Sequence, residues 1–334
     1  MKDIPKTKEV AWISWNNSTR SRMLSKLINA NFYIFKLEKP AALRHIAGFF
    51  WTIFILTKKR PKKIVCQYSF LLLVALAGYK LLFPKTQILA DCHNKALKRS
   101  VSFKLLQRPF LAIKKWSFSK ADYLIITNSM LEPDAHIFSH NVITLPDPIP
   151  HFSSATTAPT KNGKVIVTAI SSFAEDEPIE LILSAAQNLP ENYSFHVTGD
   201  HSGFNTIRHP KIKFTGFLSE SEYQNLIHDS DIVVCLSTED NILQCGIYES
   251  LSANTAVLTN NSAVNRECFG STVEYTELDK DEIRAAIQRT YANKDKLTKR
   301  TQAFVKQYRE KHNAILSNLF SSIHGSDEHE CVRK

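Results

Sequence analysis

Residues 231–260 read DIVVCLSTEDNILQCGIYESLSANTAVLTN. A short apolar run at 232–237 suits a strand covered on both faces. A polar loop follows, then a helical pattern over 246–252 and a second apolar strand at 255–259. Strand, loop, helix and strand in that order form a βαβ unit, which requires a parallel sheet. The helix opened by Gly246 points its unpaired N–H groups at the carboxyl edge of that sheet, where an anion is well held. Glu249, one turn in, is placed to accept hydrogen bonds from hydroxyls at the same edge.

The same alternation extends upstream. Strands are predicted at 164–170, 193–198, 212–215 and 273–275, with helices at 178–188, 220–229 and 281–292. The first of these strands runs into SSFAEDEP (171–178), where Asp176 and Glu177 precede Pro178 and suit the first turn of a helix. The next two strands end in HVTGD and FTGF, so Gly199 and Gly216 fall just past strand ends, where backbone can approach a ligand closely. The plain reading of each glycine is a tight turn. Several such ends on one edge make Ser172, Phe173, Gly199, Asp200 and Gly216 candidates for one ligand site.

Farther upstream lies LPDPIPHFSSATTAPTKNG (145–163), rich in proline and hydroxyl residues, which reads as a linker. Asp147, between two prolines, is read first as rigid hinge geometry. Before the linker, strands are predicted at 10–15, 32–37, 63–67, 87–91, 123–127 and 142–145, with helices at 20–30, 70–82 and 103–119. The expectation is an α/β chain of two doubly wound, Rossmann-like domains facing across a cleft. An amino-terminal domain spans 1–148, a linker 149–163 and a second domain 164–296. A helix over 297–324 closes the chain and can cross back to the first domain, and a polar tail spans 325–334.

In the first half, the strand at 10–15 leads to NNSTRSRMLSKL. Ser18 or Thr19 can cap the helix, and Arg20 and Arg22 near its start are candidates for a phosphate or acceptor. The strand at 87–91 ends in ADCHNKAL, placing Asp91, His93 and Asn94 at a carboxyl edge, with Gln67 at the end of the preceding strand. His93 suits a proton acceptor near neutral pH.

Charge divides the halves. Residues 1–150 hold 24 Lys and Arg against 8 Asp and Glu, and residues 151–334 hold 18 against 24. A basic half implies an anionic partner. The aromatic residues of that half lie in apolar runs rather than on a basic stripe, so nucleic acid is not expected. Residues 41–60, AALRHIAGFFWTIFILTKKR, are too short to span a bilayer. They suit an in-plane anchor through Phe49, Phe50, Trp51 and Phe54, with an ordinary buried helix as the alternative. The start, MKDIPKTKEV, lacks an apolar signal core, so a cytoplasmic setting is expected, peripheral on the inner face of the cell membrane. The scattered cysteines, without a CxxC pair, read as buried thiols rather than a metal site.

Taken together, SSFAEDEP, GFLSESEY and ILQCGIYESLSANTAVLTN resemble the donor half of family 4 GT-B glycosyltransferases, in particular a bacterial subgroup of polysaccharide type. The likeness is clearest over 164–270. It implies a retaining transferase that takes a sugar from a nucleotide-diphosphate donor and needs no metal or other cofactor. It also implies a bacterial surface-polysaccharide pathway, and the in-plane anchor over 41–60, where it forms, implies a lipid-linked acceptor. Donor contacts would then come from Ser172, Phe173, Gly199, Asp200, Gly216, Asp240, Leu243, Gly246 and Glu249. The family's paired glutamates have seven residues between them; Glu249 matches the second, and the first falls on Asn241, so Asn241 or the neighbouring Asp240 would touch the transferred sugar, or the mechanism tolerates the loss. The family's Arg/Lys pair is absent from SSFAEDEP, which leaves Arg266 or basic residues of the first half for the diphosphate. Asp91, His93 and Asn94 resemble an Asp-x-His-Asn element of some mannosyltransferases with this fold, giving His93, Asp91 and Asn241 catalytic roles. The alternatives are a nucleotide-sugar epimerase or hydrolase on the same fold, and a non-enzymatic protein that binds anions or nucleic acid through the basic half.

Overall fold

Among the described residues, twelve short strands, mostly of β-branched and other apolar residues, assemble into two parallel sheets of six. The computed structural model describes residues 10–37, 41–97, 107–152, 163–202 and 208–325. The chain divides into two units, Met1–Pro148 with Lys311–Lys334, and Ile149–Glu310. Most of the segment read as a linker, 153–162, and the tail from 326 lie outside the described residues.

The first unit contains β1 (Val10–Ser14), α1 (Thr19–Leu27), β2 (Asn31–Ile34), α2 (Ala41–Lys59), β3 (Lys63–Gln67), α3 (Phe70–Leu82) and β4 (Gln87–Cys92). There follow α4 (Asn94–Leu97), α5 (Gln107–Phe118), β5 (Tyr123–Ile126), α6 (Glu132–Ala135) and β6 (Val142–Thr144). The sheet order is β2-β1-β3-β4-β5-β6, every described ladder parallel. Alternate side chains serve opposite faces, as a strand requires. Ile13, Ile64, Ile88 and Leu124 pack with Leu56 of α2, the leucines of α3 and Phe118 of α5. Trp12, Val65, Leu89 and Ile125 pack on the other face with Leu24 of α1 and with Leu316 and Leu319.

The second unit contains β7 (Val165–Ala169), α7 (Ile179–Gln187), β8 (Tyr193–Thr198), β9 (Ile212–Gly216), α8 (Glu220–Asp229), β10 (Ile232–Cys235) and α9 (Cys245–Ser252). It continues with β11 (Ala256–Asn260), α10 (Ala263–Phe269), β12 (Glu274–Thr276) and α11 (Lys280–Ala292). Its order, β12-β11-β10-β7-β8-β9, is the doubly wound dinucleotide-fold order. Val167, Phe195, Val234 and Leu258 face α7 and α11, while Val233, Cys235 and Val257 face α8, α9 and α10. The closing helix α12 (Lys294–Gly325) is longer than the expected 297–324 and carries residues of both units.

Helix limits follow their caps. Ser18 accepts from the Ser21 amide at the start of α1. Ser219 and Glu222 form a reciprocal capping box on α8. Asp176 and Glu177 were expected in the first turn of a helix, but α7 starts at Ile179 with Pro178 as its N-cap, so both carboxylates lie outside it. The thiols of Cys66, Cys92 and Cys235 are buried as expected, whereas Cys245 is exposed at the start of α9. No helix among the described residues is long and apolar enough to cross a membrane.

Candidate active site

In a parallel sheet all strands deliver their following loops to one edge, and the crevice opens where the winding reverses. In the second unit that reversal lies between β7 and β10. The loop after β7 is folded around a single carboxylate. Glu177 accepts from Ser171 Oγ at 2.6 Å, Ser172 N at 2.9 Å, Ser172 Oγ at 3.0 Å and Ala174 N at 3.3 Å. Phe173 takes a left-handed φ of 57° within this turn. Asp176 ties the loop to the one after β10: its carboxylate accepts from Ser237 Oγ at 3.1 Å and its carbonyl from Thr238 N at 2.7 Å. These contacts tie the two loops together at the reversal. The sequence signal for them was the acidic pair itself, read above as a helix-dipole feature.

Gly199 has φ 94°, and a Cβ there would lie 2.2 Å from the carbonyl oxygen of Ser171. Only glycine lets β8 leave the sheet this close to the loop after β7. Gly246 is required for packing instead: a Cβ would come 2.9 Å from Cys235 Sγ and 3.0 Å from Ile170, so α9 could not seat on β10 and β7. Asp200 is exposed and accepts from the Ser202 amide, which with the Ser202 hydroxyl holds its carboxyl below the ordinary value. Gly216, with φ 69°, precedes Phe217, which is 83% exposed. The rings of Phe173, His201 and Phe214 cluster beside these turns, His201 and Phe214 stacked at 5.1 Å.

The loop from β10 to α9 carries Asp240, exposed, and Asn241, half-buried. Leu243 is buried in the core against α9, so its side chain packs there rather than facing a donor, a correction to its expected role. Gln244 donates to the Leu236 carbonyl at 3.0 Å and closes the loop. Glu249 is half-buried, and its carboxylate accepts from Tyr223 Oη at 2.6 Å. Burial and the Glu249 charge both push the Tyr223 phenol far above its usual range, so it stays a donor that fixes the carboxylate. Arg266 stacks on Tyr275, 4.3 Å from the ring centroid, and donates to Asn261 Oδ1. It is thus held by α10, β12 and the loop after β11.

In the first unit the winding reverses between β1 and β3. Gln67 lies there and accepts from Ser14 Oγ at 2.6 Å and Ser21 Oγ at 3.3 Å. Arg20 departs from expectation. It is 3% exposed and donates through Nε and Nη2 to Asp91, through Nη1 to Asp147 at 2.8 Å, and through Nη2 to the Leu145 carbonyl at 2.9 Å. Burial alone would lower its pKa, but Asp91 and Asp147 outweigh it and raise it. The guanidinium is spent on these partners, so it clamps the edge of the sheet instead of meeting a phosphate. Asp91, expected as a catalytic group, is 0% exposed and forms the other half of that clamp, so its carboxylate faces Arg20. Asp147 is therefore more than hinge geometry. Arg22 is exposed and donates only weakly, at 3.3 Å, to Thr19.

Just beyond the clamp, His93 and Asn94 stand at the carboxyl end of β4. Both are half-buried, and His93 Nε2 and Asn94 Oδ1 are shielded polar atoms without a partner among the described residues. Polar atoms in that condition are costly unless something binds them.

Residues 176–315 match a protein family described as glycosyl transferase-like. No curated protein matches the chain in sequence. Among solved structures, the sucrose-phosphate synthase of Thermosynechococcus elongatus is similar with a TM-score of 0.73 at 14% identity, over 96% of this chain and 100% of that one. The HepE protein of Anabaena, in complex with UDP-glucose, gives 0.68 at 14% identity, over 93% and 92%. The UDP-forming alpha,alpha-trehalose-phosphate synthase of Burkholderia xenovorans gives 0.68 at 10% identity, over 93% and 99%. At such identities the likeness is one of fold. The chain has the GT-B fold, two parallel α/β sheets of six strands, and its residues 176–315 carry the glycosyl transferase-like match.

Proposed function

We propose that the protein is a retaining glycosyltransferase that takes a sugar from a nucleotide-diphosphate donor bound at the carboxyl edge of the second unit. The observation that carries this reading is the family match over 176–315, which runs from the end of the loop after β7 and takes in β10, the loop that follows it and α9, the β10 side of that unit's reversal. In this reading the diphosphate lies over the turns at Ser172, Gly199 and the start of α9, and Glu249, fixed by Tyr223, takes the ribose hydroxyls. Phe173, Asp200 and Gly216 line the base side, and Asp240 and Asn241 meet the transferred sugar. UDP in the names of the similar structures makes a uridine diphosphate donor the first to try.

The acceptor is read onto the first unit's edge, beside His93, Asn94 and Gln67, and is lipid-linked or a polysaccharide. Its hydroxyl oxygen attacks the anomeric carbon on the face from which the diphosphate departs. The bond to the leaving oxygen breaks, and the acceptor proton passes to that diphosphate. No protein nucleophile is needed; the residues position the partners and stabilise leaving charge. The donor is bound without a metal.

The test is thermal stability against a panel of nucleoside diphosphates and their sugar adducts, with and without EDTA. At about a hundredfold over Kd a ligand adds about 2.7 kcal/mol, which predicts a rise of roughly 5–10 °C for one nucleotide. The rise should survive EDTA and vanish in Glu249→Ala. A flat panel would sink the reading. Nucleotide release from the sugar adduct that needs no acceptor would replace transfer with hydrolysis.

A further inference from the structure

The helical layer on one face of the first unit carries an apolar surface that none of the described residues of that unit covers. On α2 the exposed large side chains are Leu43, Ile46, Phe50, Ile53 and Phe54. Their spacing of three, four, three and one places them along one stripe of the helix. The opposite side of α2 is accounted for: Leu56 is buried in the core, Thr52 is 0% exposed, and Phe49 and Trp51 pack against the core. This corrects the expectation that Phe49 and Trp51 face outward with Phe50 and Phe54. The neighbouring helix α3 ends in Leu81 and Leu82, exposed at 58% and 77%, with Phe83, exposed at 38%, as its C-cap. On α5, which packs on α3, Ile113 and Trp116 are exposed as well. Ten of the fourteen exposed large apolar side chains among the described residues thus lie on three neighbouring helices.

Charge identifies the partner. Residues 41–120 contain 16 Lys and Arg and a single acid, Asp91, which is buried on Arg20. Around the stripe, Lys58, Lys59, Arg60 and Lys62 are exposed at the end of α2, Lys85 after α3 and Lys115 on α5. Lys58 lies over the Phe54 ring, 5.4 Å from its centroid, so its stem covers apolar surface while its ammonium stays at the rim. A cavity of about 400 Å³ beside Lys59, Arg60 and Lys62 has the charge to take a headgroup phosphate. Two such faces meeting from two copies would oppose cation to cation. Phe217 is the one exposed large apolar side chain among the described residues of the second unit, so that unit offers no matching apolar surface.

We propose that the outer face of α2, with the end of α3 and with α5, docks onto an anionic phospholipid surface, the apolar stripe entering the interface and the basic rim meeting headgroups. The inference stands on the first unit and does not rest on the donor reading, because vesicle binding is measured without nucleotide.

The test is co-sedimentation of the full chain with neutral phosphatidylcholine vesicles and with vesicles containing anionic phosphatidylglycerol, over a salt series. The protein should sediment with the anionic vesicles alone, and less as salt rises. Phe50→Ser with Phe54→Ser should weaken binding at least about tenfold, as should Lys58→Gln, Lys59→Gln and Lys62→Gln together. All these side chains are exposed, and an unchanged melting temperature confirms that the variants fold. Absent sedimentation, equal sedimentation with neutral vesicles, or variants that bind like the parent would overturn the proposal. A dimer in the ultracentrifuge that the same variants dissolve, without vesicle binding, would assign the face to a second copy instead.

Discussion

At the residue scale, the Arg20 clamp shows how a sequence reading can find the right position and the wrong partner. An arginine near a helix start is expected to seek an anion, and here it does. The anions are Asp91 and Asp147, at the ends of β4 and of the first unit's main segment. Nothing in the local sequence couples positions 20, 91 and 147, because only the parallel sheet brings those ends together. The clamp predicts its own removal cost. In Arg20→Met, the Asp91 carboxyl is left at 0% exposure with its main partner gone. Breaking such a buried pair costs roughly 3–5 kcal/mol. Urea unfolding followed by near-ultraviolet signal should show a large fall in midpoint, partly recovered in the double variant with Asp91→Asn. A shift of less than about 1 kcal/mol in the single variant would mean that water reaches Asp91.

At the element scale, strands were the most legible feature. Continuous apolar runs between turn residues can hardly be anything else in an α/β chain, and all twelve were placed. Short helices such as α4 and α10 were not, since one or two turns leave no period to read. The loop after β7 was legible as a site but not as a structure: SSFAEDEP reads as a helix entry, whereas its glutamate folds back onto its own backbone. That fold-back gives a prediction for the loop. In Glu177→Ala the amides of Ser172 and Ala174 lose their acceptor. Hydrogen bonds to charged groups contribute about 1.5–3 kcal/mol each, so their hydrogen exchange should quicken by roughly ten- to a hundredfold. Donor-dependent stabilisation should weaken with it. Unchanged exchange at both amides would show that Asp176, through Ser237 and Thr238, holds the loop unaided.

At the scale of the whole molecule, two doubly wound sheets were legible because charge, periodicity and a proline-rich break agreed. The chemistry around α12 was not, since its partners lie far away in sequence. His312 on that helix is buried and its Nε2 donates to the Pro146 carbonyl at 3.1 Å. Burial lowers its pKa, and the nearby Arg20 charge adds to this, while Pro146 and Asp147 oppose it; the net direction is downward. His196 in the second unit is also lowered, by burial and then by Lys213. An unfolded histidine titrates near pH 6.5, and these fold in the neutral form. The unfolded chain therefore binds protons first, so their contribution is fully present above about pH 6.5. It is lost as pH falls from there through the folded pKa values. The carboxylates held low by hydrogen bonds, Asp200, Glu222 and Asp279, lose their contribution only in a more acidic range. Unfolding midpoints should thus fall between pH 7.5 and 5.5, before carboxylates matter. In His312→Gln the amide can still donate to Pro146 but does not titrate, so the fall should be shallower. A slope identical to the parent's would mean that His312 takes up its proton in the folded state as readily as in the unfolded one, and that acid lability in this range arises from other histidines.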